Sequence, residues 1–173
     1  MRKIALLAVL ALVAVPAAFA EDSPSPTDQA STLCKQQRTQ MGTPAFKLLY
    51  GGASNSYGRC VSKLTSTVNS NTANASKTCA KERADAAFAT THENKTFAQF
   101  YGSSKNGNGN AFGKCVSSKA KALAQEQQES TIAAAKTCKA ERTKMGAPAF
   151  TAKYGNRSNA FGKCVSKTAQ ATQ

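Results

Sequence analysis

The chain has 173 residues, 23 Lys and Arg against 9 Asp and Glu, and a formal net charge of +14. After Ala20, Leu, Ile, Val and Phe supply only 17 of 153 residues, well below the roughly 20% under which charged chains tend to stay unfolded. One large aliphatic core is therefore excluded, and whatever holds the chain together must come from elsewhere.

Residues 1–20 read as a secretory signal: Arg2 and Lys3 at the start, an apolar run from Ile4 to Val15, and Ala18-Phe19-Ala20 as a cleavage site. The run is shorter than the 17 to 25 apolar residues that span a bilayer, so no transmembrane span is expected. The expected product is secreted or periplasmic, begins at Glu21 and carries +12. Residues 21–26, with Pro24 and Pro26, predict an extended linker.

From Thr27 the signals are helical. Thr27 or Asp28 can cap a first helix that Gly42 stops; Thr43 can cap a short second helix with Pro44 in its first position and Gly51 at its end. A third helix starts near Ser54-Asn55 and carries Cys60. The same grammar returns with Gly146, Pro148, Gly155 and a helix from Ser158-Asn159 through Cys164, and more loosely from Cys79 to Cys115. A motif written three times points to one small unit used repeatedly. The units are set at residues 27–68, 69–129 (with insertions around Ala89–Asn94 and Ser103–Asn110) and 130–173, with net charges of +4, +3 and +7.

The joints differ. Ala111 to Met145 is dense in Ala, Lys, Gln and Glu and predicts one helix of 35 residues, about 52 Å long. Its centre, Gln125 to Ser130, is polar on every side and reads as a solvated spacer. Leu64 to Thr78 is rich in Ser, Thr and Asn, and a break is expected near Asn69 to Asn74. The fold class is all-α: three disulfide-stapled helical repeat units joined by partly continuous helices.

Six cysteines allow fifteen pairings. Cys115 and Cys138 lie 23 residues apart on the long helix, about 34 Å, whereas bridged Cα atoms lie within about 7 Å. Pairing inside each unit follows: Cys34 with Cys60, Cys79 with Cys115, Cys138 with Cys164. Zinc and redox chemistry are set aside because C-x-x-C spacing is missing and His92 is the one histidine. No metal or cofactor is expected.

Aromatics recur with the cysteines: Phe46, Tyr50 and Tyr57; Phe97, Tyr101 and Phe112; Phe150, Tyr154 and Phe161. Phe and Tyr four apart share a helix face, so a small ring core against each disulfide is the preferred reading over a ligand-stacking platform. Gly58, Gly113 and Gly162 each sit two before the second cysteine and imply close approach of a neighbouring helix or ring. Basic residues recur too: Arg38, Arg83 and Arg142 four after the first cysteine, Arg59, Lys114 and Lys163 just before the second, Lys63, Lys119 and Lys167 shortly after it. A solvated face is the plain reading of this pattern. The sharper one is an anion-binding stripe repeated three times.

The acids Glu82, Asp85, Glu126, Glu129 and Glu141 are scattered, His92 has no nucleophile motif beside it, and no G-x-S-x-G, H-E-x-x-H or phosphate loop occurs. The expectation is a non-enzymatic, monomeric protein whose partner is an anionic polymer or surface. A secreted toxin or antimicrobial protein and a small hydrolase with a two-carboxylate site are the alternatives. The string Tyr154-Gly155 with Asn159-Ala160-Phe161-Gly162-Lys163-Cys164-Val165-Ser166, and the upstream Cys138 with Glu141-Arg142, resembles a repeat in small exported actinobacterial proteins. That resemblance implies export and the repeat, and no activity.

Overall fold

A computed structural model describes residues 24–51, 54–102, 109–155 and 159–171. The expected signal peptide and most of the linker lie outside them. The described residues form α1 (Pro26–Met41), α2 (Thr43–Tyr50), α3 (Ser56–Ala84), α4 (Phe88–Thr91), α5 (Phe97–Tyr101), α6 (Ala111–Met145), α7 (Ala147–Tyr154) and α8 (Ala160–Gln170). No strand occurs among them, and the fold is all-α.

All three disulfides form inside the repeats, Cys34–Cys60, Cys79–Cys115 and Cys138–Cys164, each with Cα atoms 6.0 Å apart. Each ties the helix that opens a repeat to the one that closes it. The six cysteines are fully buried, so covalent links stand at the centre of every unit, where larger domains put aliphatic side chains. Three disulfides fit an extracellular environment, and no helix among the described residues is long and apolar enough to cross a membrane.

The units are not beads on a string. The Cys79–Cys115 link and the Asn71–Gln127 amide pair show that α3 and α6 run antiparallel. The chain travels out along α3, turns through the middle unit, and returns along α6 to where it started. Units one and three therefore pack together and share one core, in which Phe46, Cys34 and Cys60 meet Phe150, Phe161 and Ile132. The middle unit keeps a separate core of Phe88, Phe97, Cys79, Cys115 and Val116 at the far end.

Several local expectations need correction. Ser25, not Thr27 or Asp28, caps α1: its hydroxyl accepts from Asp28 N at 3.2 Å, with Pro26 at the first helical position. Gly42, not Thr43, precedes α2. The break near Asn69 to Asn74 is absent, and α3 runs through without interruption. The hydroxyls that argued for a break instead bond back to carbonyls one turn earlier, as Ser70 does to Ser66 and Thr72 to Val68. Asn71 is buried and exchanges two amide bonds with Gln127, at 3.0 and 3.3 Å. The centre of α6 is thus not a solvated spacer: Gln128 is buried and donates to Gln36 of α1 at 2.9 Å.

The recurrent glycines also have a different neighbour from the one expected. Gly58, Gly113 and Gly162 each sit three residues after the asparagine that precedes their helix, Asn55, Asn110 and Asn159. In each repeat the asparagine carboxamide fills the space a Cβ would take. The repeated word is Asn-x-x-Gly, a helix start folded onto itself rather than a helix crossing. At Gly162 another unit is close by as well, with the Leu49 carbonyl 3.7 Å from that Cβ position.

Units one and three keep the long, short, long helix order. The middle unit replaces the short helix with α4 and α5. Where its siblings have Gly-x-Pro-Ala before the phenylalanine, it has Glu93-Asn94-Lys95-Thr96, and the Thr96 hydroxyl and Gln99 form a capping box that starts α5 at Phe97 itself. The inserted turn after α4 puts Glu93 and Asn94 at positive φ, 55° and 56°.

Candidate functional site

Each repeat contains the same clasp. The residue three after the first cysteine, Gln37, Glu82 or Glu141, accepts a hydrogen bond from the tyrosine that ends the short helix. Tyr50 donates to Gln37 Oε1 at 2.5 Å, Tyr101 to Glu82 Oε2 at 3.0 Å, and Tyr154 to Glu141 Oε2 at 2.8 Å. The tyrosine is itself held by the phenylalanine four residues before it, with ring centroids 4.9, 4.9 and 4.8 Å apart. A cysteine-bearing helix and a short aromatic helix are thereby locked at a fixed angle, and the disulfide lies beside the lock: Cys115 Sγ is 3.8 Å from Glu82 Oε2, and Cys164 Sγ 3.9 Å from Glu141 Oε2.

Burial decides which acceptor is used. Gln37 is 1% exposed, and a neutral amide there escapes the desolvation that an unpaired carboxylate would suffer. Glu82 and Glu141 are partly open and each gains a cation, Lys119 at 2.8 Å and Lys153 at 2.6 Å. Lys119 comes from α6 and Lys153 from α7, so the two clasps take their cation from different places in the repeat. Burial pushes the Tyr50 phenol up to about 12, the Gln37 bond only partly opposing it. Tyr101 and Tyr154 are raised by burial first and then by their glutamates. The bond from Lys153 holds Glu141 below the usual carboxylate range.

These acceptors were the residues that sequence reasoning missed. Glu82 and Glu141 read as scattered acids, although their common offset from the first cysteine, shared with Gln37, is visible in the repeat.

The nine candidate basic residues fall into two groups. Arg83, Lys114 and Lys119 lie around Cys79–Cys115 at one end of the α3–α6 pair. Arg38, Arg59, Lys63, Arg142, Lys163 and Lys167 lie around the two disulfides at the other. The ends are separated by the 19 residues from Cys60 to Cys79 along α3, about 28 Å. Lys119 is occupied by Glu82, and Arg83 sits over the Phe112 ring at 4.8 Å. Arg59 and Lys163 fold back toward Gly51 and Gly155, which close the short helices, where a cation meets the negative end of the helix dipole. Arg38, Lys114 and Lys167 are exposed.

His92 is half-buried, stacked on Phe88 at 3.8 Å, with Nδ1 2.9 Å from both the Phe88 carbonyl and the Thr91 hydroxyl. Among the described residues no group of three or more His, Cys, Asp or Glu could hold a metal ion. No protein-family model matches the chain, and no curated protein or solved structure matches it either.

Proposed function

We propose that the chain is exported through its N-terminal signal and works as a non-catalytic binder of anionic polymers or surfaces. The observation that carries this reading is charge left over after folding. The described residues include 19 Lys and Arg, and only Lys95, Lys119 and Lys153 meet a carboxylate within 4.0 Å. The other 16 have no carboxylate partner among the described residues, and most of them are exposed, on a scaffold stiffened by three disulfides. Such a surface draws polyanions by releasing their condensed counterions.

The arrangement of acids supports binding over hydrolysis. Glu82 and Glu141 are each engaged by a tyrosine and a lysine and stand at opposite ends of the α3–α6 pair, too far apart for the paired carboxylates of glycoside hydrolysis. The test is retention of the oxidised mature chain on immobilised heparin and on DNA. It should bind both at low ionic strength, with affinity falling steeply and linearly on a log–log plot against salt. Passage through both columns at low salt would end this reading.

A further inference from the structure

The packing of unit one on unit three supplies a template that the middle unit matches and leaves unused. Leu49, one residue before the tyrosine of α2, lies against the start of α8: its carbonyl approaches Gly162, and Ala160, Phe161 and Gly162 are all buried there. In the middle unit the residue before the tyrosine is Phe100, and the helix start is Ala111, Phe112 and Gly113. Both halves stay partly open, with Arg83 over the Phe112 ring. Phe100 is 42% exposed, the one large hydrophobic so exposed among the described residues, and Ala111, Phe112 and Gly113 are each only half-buried.

Beside that helix start lies a groove of about 470 Å³, with Phe88, Phe97, Phe112, Arg83 and Ala98 among the residues that line it. Phe100 is not one of its walls. Its ring is held edge-on to Phe88 and Tyr101, with centroids 5.8 and 4.9 Å away, so it is fixed in place before any partner arrives, which lowers the entropy cost of docking. Units one and three, which lack the inserted segment, have no counterpart to this cluster of rings.

We propose that the middle unit is a self-association surface: Phe100 of one molecule enters the phenylalanine-lined groove beside Ala111 and Phe112 of a second copy, repeating between molecules the short-helix-on-helix-start packing that units one and three make within one. The occupant is a second copy because the chain already uses this pairing on itself, and the middle unit carries both halves. Knob and groove lie side by side, with Phe100 and Ala98 both on α5, so the contact can be reciprocal between two copies or head-to-tail, and the second can extend beyond a dimer. The net charge of +12 on the mature chain opposes it at low ionic strength, and salt relieves the repulsion. Added salt should therefore strengthen self-association while it weakens polyanion binding, so the two readings succeed or fail separately.

Sedimentation velocity of the oxidised mature protein, from micromolar to near-millimolar and at low and high salt, tests the proposal. The weight-average mass should rise with concentration, more so at high salt. Phe100→Ser, at an exposed position, should lower the association constant by about tenfold or more, and Ala98→Glu should do the same from the groove side. Circular dichroism of both variants checks that they are folded. Mixing the two variants should recover one-to-one pairs, since each keeps the half the other lost. A wild-type protein that stays monomeric at high salt, or a mixture that does not pair, overturns the proposal.

Discussion

The hydroxyl of Tyr50 donates to the side-chain oxygen of Gln37 at 2.5 Å in the tightest of the three clasps, with Gln37 all but sealed from water. That environment favours the neutral phenol. The Tyr50 pKa rises from 10.0 to about 12 on folding, so the folded state holds its proton more tightly than the unfolded state does. The resulting stability is complete below about pH 10 and lost as pH climbs to about 12, on the order of 2 to 3 kcal/mol at about 1.4 kcal/mol per unit. Tyr101, Tyr154, Lys119 and Lys153 are also raised and act in the same direction. Urea titrations at about pH 8 and about pH 11.5 should show the loss, and Tyr50→Phe should shrink it. An unfolding midpoint that does not move between those conditions would refute the account.

The Asn-x-x-Gly helix starts make a second prediction. Replacing a helical glycine with alanine ordinarily stabilises by about 1 kcal/mol. At Gly113 the new methyl would lie 2.5 to 2.8 Å from three atoms of the Asn110 carboxamide, which accepts the Gly113 N–H at 3.1 Å. The asparagine must swing away and lose its cap, worth about 1 kcal/mol. Gly113→Ala alone should thus be neutral or destabilising. With Asn110→Gly, which removes the side chain while tolerating the positive φ of 35°, the same change should stabilise. A double-mutant cycle should show about 1 kcal/mol or more of coupling; additive effects would mean that the carboxamide is not the obstacle.

The repeat itself made most of this fold legible. Gly42, Gly51, Gly146 and Gly155 punctuate the helices where expected, because each takes a positive φ that other residues rarely adopt. The bounds of α6 and all three disulfides also follow from helix formers and helix geometry. What stayed hidden depended on the meeting of distant segments. Asn71 is a poor helix residue taken alone, and only Gln127, 56 positions away, makes it an asset. Gln128 looked like solvent-facing filler until α1 arrived with Gln36. The basic residues were legible as a pattern and not as a surface, since the antiparallel return of α6 divides them between two ends.

Two separate cores should lose their staples separately. Replacing Cys79 and Cys115 with serine removes the link that closes the middle unit, whose other core residues are few: Phe88, Phe97, Val116 and two alanines. By chain entropy a 36-residue separation corresponds to about 4 kcal/mol. Hydrogen exchange on the double variant should show amides of α4, α5 and the adjoining ends of α3 and α6 losing protection, while those around Phe46 and Phe150 keep theirs. Uniform loss of protection across the whole chain would show that the two ends fold as one cooperative unit.

The fixed spacing of the basic ends constrains the length of any polyanion that uses both. A short anionic oligomer can occupy one end only. One longer than about 28 Å can reach the other, and that second contact forms at high effective concentration. Affinity for size-fractionated heparin, or for single-stranded DNA of graded length, should therefore step upward by about tenfold or more once the oligomer spans that distance, rather than rising smoothly with charge. Arg83→Ala with Lys114→Ala strips the middle unit of two cations that carry no carboxylate partner. It should abolish the step and leave the affinity for short oligomers unchanged. A smooth rise in the wild type, or a step that survives in the variant, would mean that the middle unit takes no part in binding and that the ligand stays on the end shared by units one and three.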